Sequence, residues 1–181
     1  RSKIPRYRCR CIRQRQERKK EKNNLCGFRP HTLYGLASMK IAILNDTHCG
    51  IRNSSEIFMD YQEKFYRDIF FPFLVENNID KILHLGDYYD NRTSINFKAL
   101  NHNRRIFLDQ LRDLRIHMDI IPGNHDVYYK NTNRLNALKE LLGHYMGEVR
   151  IIEEPTVVNY DGFNVALVPW INPENEEAAS D

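Results

Sequence analysis

Lys81-Ile82-Leu83-His84-Leu85-Gly86-Asp87-Tyr88-Tyr89-Asp90 is the stretch that decides the architecture of this chain. Its first five residues form the short aliphatic run of a strand buried on both faces, and Gly86-Asp87 then turns the chain out of the sheet with a carboxylate at the turn. Two other stretches repeat this grammar. Lys40-Ile41-Ala42-Ile43-Leu44 leads into Asp46-Thr47-His48-Cys49-Gly50, and His117-Met118-Asp119-Ile120-Ile121 leads into Gly123-Asn124-His125-Asp126. Loops that leave the ends of neighbouring strands meet at one rim of an α/β sheet, so residues distant in sequence can converge there.

The stretches between these strands have helical spacing. From Ser55 to Glu76, Phe58, Tyr61, Phe65, Ile69 and Leu74 recur at three- to five-residue steps opposite Asp60, Glu63, Lys64, Arg67 and Asp68. This pattern predicts an amphipathic helix with its aromatic stripe in the core, kinked or shortened by Pro72. Further helices are predicted from about Asn96 to Arg112 and from about Asn133 to Tyr145. The period then changes, and Thr156-Val157-Val158 and Phe163-Asn164-Val165-Ala166-Leu167-Val168 flank the turn Tyr160-Asp161-Gly162 as a hairpin. The fold class is therefore α/β, with order β-α-β-α-β-α followed by a hairpin.

A chain of 181 residues with 41% hydrophobic content can bury the core of one ordinary domain. No run reaches the roughly 20 apolar residues of a membrane span. Charge is divided along the chain: residues 1–38 hold 12 Lys and Arg against 2 Asp and Glu, a balance of +10, and the remainder holds 15 against 22, a balance of −7, giving the formal +3. Residues 1–38 carry too little apolar content to build a core and no apolar centre of a secretory signal. They are expected to be a non-native or disordered extension, with Met39 as the true start; a basic arm for nucleic acid is the functional alternative. Cys9, Cys11 and Cys26 lie in that stretch without zinc-finger spacing, Cys49 stands alone in the folded part, and a reducing cytoplasm is expected.

The three loop strings carry the chemistry. Hydrolysis of a phosphodiester needs a strong oxygen nucleophile, charge relief on the phosphoryl oxygens and a proton for the leaving alkoxide, which two metal ions and one acid supply. Asp46 and His48, at i and i+2, can turn toward one ion. Asp87 can bridge two ions roughly 3.5–4 Å apart, and Asn124 offers a neutral oxygen to the second. His125 is placed to act as general acid, and Asp90 is placed to hydrogen-bond it and hold it protonated. Any one string could be an ordinary turn with a capping Asp; three in order, each after a strand, point to a site. His84 is expected to be a core or face residue, and Lys130, Arg134, Arg104 and Arg105 a solvated surface.

The strings D-x-H-x-G, G-D-x-x-D and G-N-H-D in this order resemble the calcineurin-like metallophosphoesterases, whose fold is a four-layer α/β/β/α sandwich. Asp90-Asn91-Arg92, the run from Gly123 to Asn131, and Val168-Pro169-Trp170 make the chain most similar to the SbcD-type DNA nucleases, especially the phage recombination endonuclease subunits. The resemblance covers Met39 to about Asn172. It implies Asp46, His48, Asp87 and Asn124 as ligands of two divalent ions, usually Mn2+, with His125 as catalytic acid. It also implies DNA as substrate in recombination and repair, an SbcC-type ATPase partner, pairing of two copies, and the host cytoplasm for a phage-encoded protein.

The family's later His and Gly-His-x-His ligands do not occur here, so residues 39–181 are expected to be the N-terminal portion of the nuclease domain, with little activity alone. Two alternatives remain: a non-catalytic scaffold for DNA or the ATPase, and another phosphodiesterase or phosphatase of the superfamily. Phosphoprotein phosphatases carry D-x-H-G, an Arg after G-D-x-x-D, and G-N-H-E; Cys49, Asn91 and Asp126 depart from all three.

Overall fold

A computed structural model describes residues 39–180, and the expectations for residues 1–38 lie outside the described residues. Strands β1 (Ile41–Leu44), β2 (Lys81–His84), β3 (His117–Ile120) and β4 (Val149–Ile151) form a parallel sheet in the order β1-β2-β3-β4. Register sets the position of everything that follows. Leu44 pairs with His84 and His84 with Ile120, so the three motif-bearing loops leave the sheet at one level.

Side chains alternate across this sheet. Leu83, with Ile121, Ile152 and Leu167, forms a buried cluster joined by Ile41, Val158 and Val165, which seats the antiparallel hairpin of β5 (Thr156–Tyr160) and β6 (Phe163–Leu167) on one face. Asp119 points to that face as well, held by Arg150 and by the Tyr160 hydroxyl. The expected turn is present, with Asp161 and Gly162 both at positive φ (49° and 94°), as a tight hairpin with right-handed strand twist requires. Ile82, His84, Met118 and Ile120 turn the other way and are all buried; there His84 packs on Tyr88, and Tyr88 on Phe107. This is the helix, sheet and second-sheet part of the expected sandwich.

The helical connections depart from expectation in instructive ways. The first runs as α1 (Glu56–Phe65), a π turn (Tyr66–Phe70) and α2 (Phe71–Glu76). Pro72 does not shorten it. The π turn ahead absorbs the proline ring and missing N–H, and the helix carries on to Glu76. The predicted buried face is corrected: Met59, Tyr66, Phe70, Phe71 and Leu74 are buried, whereas Phe58, Tyr61, Phe65 and Ile69, together with Ile57 and Phe73, are exposed. Tyr66, Phe70 and Phe71 win because each meets Phe107, with ring centroids 4.9, 6.4 and 5.7 Å apart.

The second connection is α3 (Phe97–Asn103), a second π turn (Arg104–Leu108) and α4 (Asp109–Leu114); the Asn96 side chain caps it by accepting from the Lys98 N–H. The third is shorter than predicted, α5 (Ala137–Leu142) closed by a 3₁₀ turn, because Asn136 caps the helix and Asn133 is engaged elsewhere. Strand β4, which sequence periodicity does not reveal, α6 (Glu176–Ser180) and an irregular helical turn at Ile51–Ser54 ahead of α1 complete the described elements. Among the described residues no helix is long and apolar enough to cross a membrane.

Candidate functional site

The ladder between β1 and β2 continues past the strands. Asp46 N–H donates to the Gly86 carbonyl (3.3 Å), His48 N–H to Asp87 (3.0 Å), Cys49 N–H to Tyr88 (2.7 Å), and Asp90 N–H returns to Cys49 (3.1 Å). The first and second loops therefore run side by side, which brings a ligand atom from each of Asp46, His48 and Asp87 within 4.8 Å of one another. Asp46, His48 and Asp87 all sit at positive φ (52°, 43° and 51°). Left-handed backbone at a non-glycine residue costs about 1–3 kcal/mol and gathers at functional sites; here it lets three successive donors face one point.

The third loop is locked to the second by contact without room for a side chain. Gly86, at φ 103°, would place a Cβ 2.8 Å from the backbone of Gly123, and a Cβ on Gly123 would lie 2.2 Å from Asp87 Oδ1. Past Gly123, the His125 backbone N–H donates to Asp87 Oδ1 (2.8 Å). The end of the Asn124 amide lies 2.9 and 3.3 Å from the two Asp87 carboxylate oxygens. With its NH2 toward Asp87 it donates; with its oxygen there, the cluster is all acceptors and calls for a cation between them. His48 turns Nδ1 toward Asp90 and places Nε2 3.6 Å from Asp46 Oδ1. An imidazole nitrogen among converging carboxylate oxygens fits a divalent cation of oxygen and nitrogen preference.

His125 lies edge-on to His48, ring centroids 5.0 Å apart. Its expected contact with the Asp90 carboxylate is corrected: His125 Nδ1 donates to the Asp90 main-chain carbonyl (2.7 Å), and the carboxylate instead stands 3.4 Å from His48 Nδ1. A short turn after Asp87 brings the carbonyl inward before the side chain. Cys49 is buried with its thiol directed at the Ala99 carbonyl, and burial, then Asp90, pushes that thiol up to about 12.

Three residues outside the predicted set hold the loops. The Asp126 carboxylate, fully buried, accepts from the N–H groups of Tyr88 (3.2 Å), Tyr89 (2.9 Å) and Gly123 (3.0 Å), tying the second loop to the third. Burial raises its carboxyl against the pull of those donors. Gln62 of α1 donates to the Thr47 carbonyl (2.7 Å). His84 does turn out to be a core residue, with a bracing role besides: Nδ1 accepts from Gly86 N–H (3.2 Å), which places the ring proton on Nε2, and Nε2 donates to Thr47 Oγ1 (3.0 Å). Only the Asp following Gly-Asn-His carried any sequence signal.

Burial pushes the His84 imidazole from its ordinary 6.5 down to about 3. Above 6.5 neither the folded nor the unfolded chain protonates this group; as pH falls from 6.5 toward 3 the unfolded chain takes up a proton that the folded chain refuses. Stability from this group is thus complete above 6.5 and is lost on acidification by up to ~1.4 kcal/mol per pH unit. Urea unfolding midpoints measured across that range should fall more steeply for the parent than for His84→Gln, which has no proton to gain; parallel curves would contradict the assignment.

Residues 39–172 match the family described as calcineurin-like phosphoesterase. Over 137 residues the chain is 34% identical to exonuclease subunit 1 of Enterobacteria phage T4, an alignment taking in 76% of this chain and 40% of that protein. The chain thus spans less than half the length of this relative. Among solved structures, the Pseudomonas putida nuclease MPE is similar over 66% of this chain and 50% of that chain, with 19% identity and a TM-score of 0.43. Because the family match takes in every loop that supplies Asp46, His48, Asp87, Asn124 and His125, this chain belongs to the calcineurin-like phosphoesterases.

Proposed function

We propose that this chain carries the catalytic loops of a metal-dependent DNA nuclease subunit that hydrolyses phosphodiester bonds, exo- and endonucleolytically, in DNA-end processing during recombination and repair. One observation carries the reading: donors from three separate loops, Asp46, His48, Asp87 and Asn124, gather around one point with the His125 imidazole beside them. The likeness to a phage exonuclease subunit supports DNA as substrate, the host cytoplasm as location and a partner subunit; that this partner is an SbcC-type ATPase is proposed from the resemblance to SbcD-type nucleases.

In this reading Asp46, His48, Asp87 and Asn124 would hold two divalent ions, Mn2+ by preference. Charge relief on phosphoryl oxygens and activation of water are the chemistry such ions supply when bound. The residues of the chain do the rest. His125 Nδ1 is committed to the Asp90 carbonyl, which orients the ring and leaves Nε2 to pass a proton to the leaving oxygen. Asp126 and the Gly86–Gly123 contact keep the second and third loops from drifting apart.

The deciding experiment incubates the chain, extended by the family's later His and Gly-His-x-His ligands, with Mn2+ and four substrates: p-nitrophenyl phosphate, bis(p-nitrophenyl) phosphate, single-stranded DNA and blunt duplex. Manganese-dependent cleavage of DNA that chelation stops is the expected result. Hydrolysis of a phosphomonoester in preference to any diester would overturn it.

Pairing of two copies is supported by the exposed face of the first helix. Ile57, Tyr61, Phe65, Ile69 and Phe73 step by four residues and lie symmetrically about Phe65, and the π turn keeps those steps in line. An antiparallel two-fold sets Tyr61 against Ile69 and Ile57 against Phe73, a self-complementary seam of the kind a symmetric dimer needs. Phe65→Glu is expected to convert the dimer to monomer in sedimentation equilibrium; an unchanged mass would remove this seam from consideration.

A further inference from the structure

Tyr128, Tyr129 and Trp170 stand exposed (45%, 52% and 43%) on segments fastened directly to the third site loop. Val127, fully buried two residues past His125, pairs with Asn136, and the Tyr128 N–H donates to the Leu135 carbonyl (2.9 Å), so residues 128–135 form a closed loop springing from the site. The tyrosine rings meet edge to face, centroids 4.7 Å apart and planes at 77°, which leaves ring faces open.

Trp170 is positioned with unusual investment. Its N–H donates to the Pro122 carbonyl (2.9 Å), next to the Gly123 that abuts Asp87. Its carbonyl accepts from the side chains of Asn133 (3.0 Å), Asn172 (3.2 Å) and Asn175 (3.2 Å), all three buried. Burying polar amides is favourable only when their hydrogen bonds are made; three of them spent on one carbonyl fix the tryptophan's backbone, and Asn133 fixes the tyrosine loop to it. Arg134 pairs with Glu174 across the same junction. The outcome is a rim of three half-exposed aromatic rings on segments tied to one another and to the third site loop.

We infer that this rim, with the exposed Lys130, is a stacking site for unpaired nucleotide bases flanking the phosphate to be cleaved. The inference rests on the nuclease reading and deepens it by naming the residues that would take the bases of an unpaired strand. Aromatic faces attract any base through its π surface, but only a base released from a duplex stack has a face to offer. The balance of −7 outside residues 1–38 argues the same way. With that balance, base stacking would add to what local basic residues such as Lys130 and bound cations supply. A preorganised rim binds without the entropy cost of ordering loops.

The test uses the whole chain with Ca2+ in place of Mn2+ and a single-stranded oligonucleotide containing 2-aminopurine. The parent should quench the probe, and Tyr128→Ala combined with Tyr129→Ala should lose the quench and bind at least tenfold more weakly. The paired Phe variants should restore both, since stacking needs the ring and not the hydroxyl. Blunt duplex binding and bis(p-nitrophenyl) phosphate hydrolysis should stay at parental levels in all variants. Equal single-strand binding by parent and double alanine overturns the rim while leaving the nuclease reading intact. A parent that hydrolyses the small diester yet neither binds nor cuts any DNA overturns both.

Discussion

Replacing His125 with alanine should slow phosphodiester cleavage by about 10²–10⁴-fold, the usual worth of a positioned general acid, while Mn2+ binding survives. The structure gives a reason to expect that separation. The bond from residue 125 to Asp87 comes from the backbone N–H, which alanine keeps, and the imidazole itself contacts the Asp90 carbonyl and the edge of His48. Asp87 therefore retains its orientation when the ring is removed. Titration calorimetry beside single-turnover cleavage checks both halves; loss of metal together with activity would make His125 a ligand. Asp90→Asn provides a contrast. It keeps the carbonyl that orients His125 and alters only the carboxylate beside His48, so its effect should show in metal affinity rather than in proton transfer.

The second large effect comes from one methyl group. Gly123→Ala would set a Cβ 2.2 Å from Asp87 Oδ1 and 2.3 Å from the Asp87 backbone nitrogen. The carboxylate could swing aside, but the backbone nitrogen cannot. Asp87 must move, and with it go its contacts to the Asn124 amide and the His125 N–H. Overpacking of this kind costs about 1–3 kcal/mol or more. Thermal unfolding should report that loss, and calorimetry should find metal binding gone even at temperatures where the variant is folded. Tight binding by folded Gly123→Ala would show that Asp87 is not a ligand.

Much of this arrangement is written locally. Strands β1 to β3 announce themselves as aliphatic runs, and each ends at a string whose donors the parallel register then brings level. Strand β4 does not, because three residues, Val149 to Ile151, are too few to show a period. The first helix misleads for a different reason: its charged residues are flanked by two apolar sets, Met59, Tyr66, Phe70, Phe71 and Leu74 buried and Ile57, Tyr61, Phe65, Ile69 and Phe73 exposed. Periodicity finds two stripes there, and only Phe107, from a separate helical stretch, selects between them. Asp90 illustrates the same limit at the site. Its proximity to His125 follows from spacing, but whether carbonyl or carboxylate makes the contact depends on the turn's dihedral angles. Braces such as His84 to Thr47 and Asp126 to Tyr88, Tyr89 and Gly123 join residues far apart in sequence through hydrogen bonds that no spacing rule encodes.

The positive φ angles of Asp46, His48 and Asp87 set an evolutionary tension. Glycine adopts that backbone freely, so Asp46 or His48 replaced by glycine should yield a sturdier protein stripped of one cation donor, whereas Asp87 also accepts from the His125 N–H and is protected by that bond. A laboratory screen for heat tolerance run without an activity filter will be drawn to positions 46 and 48. What it recovers there will be scaffolds that have traded chemistry for endurance.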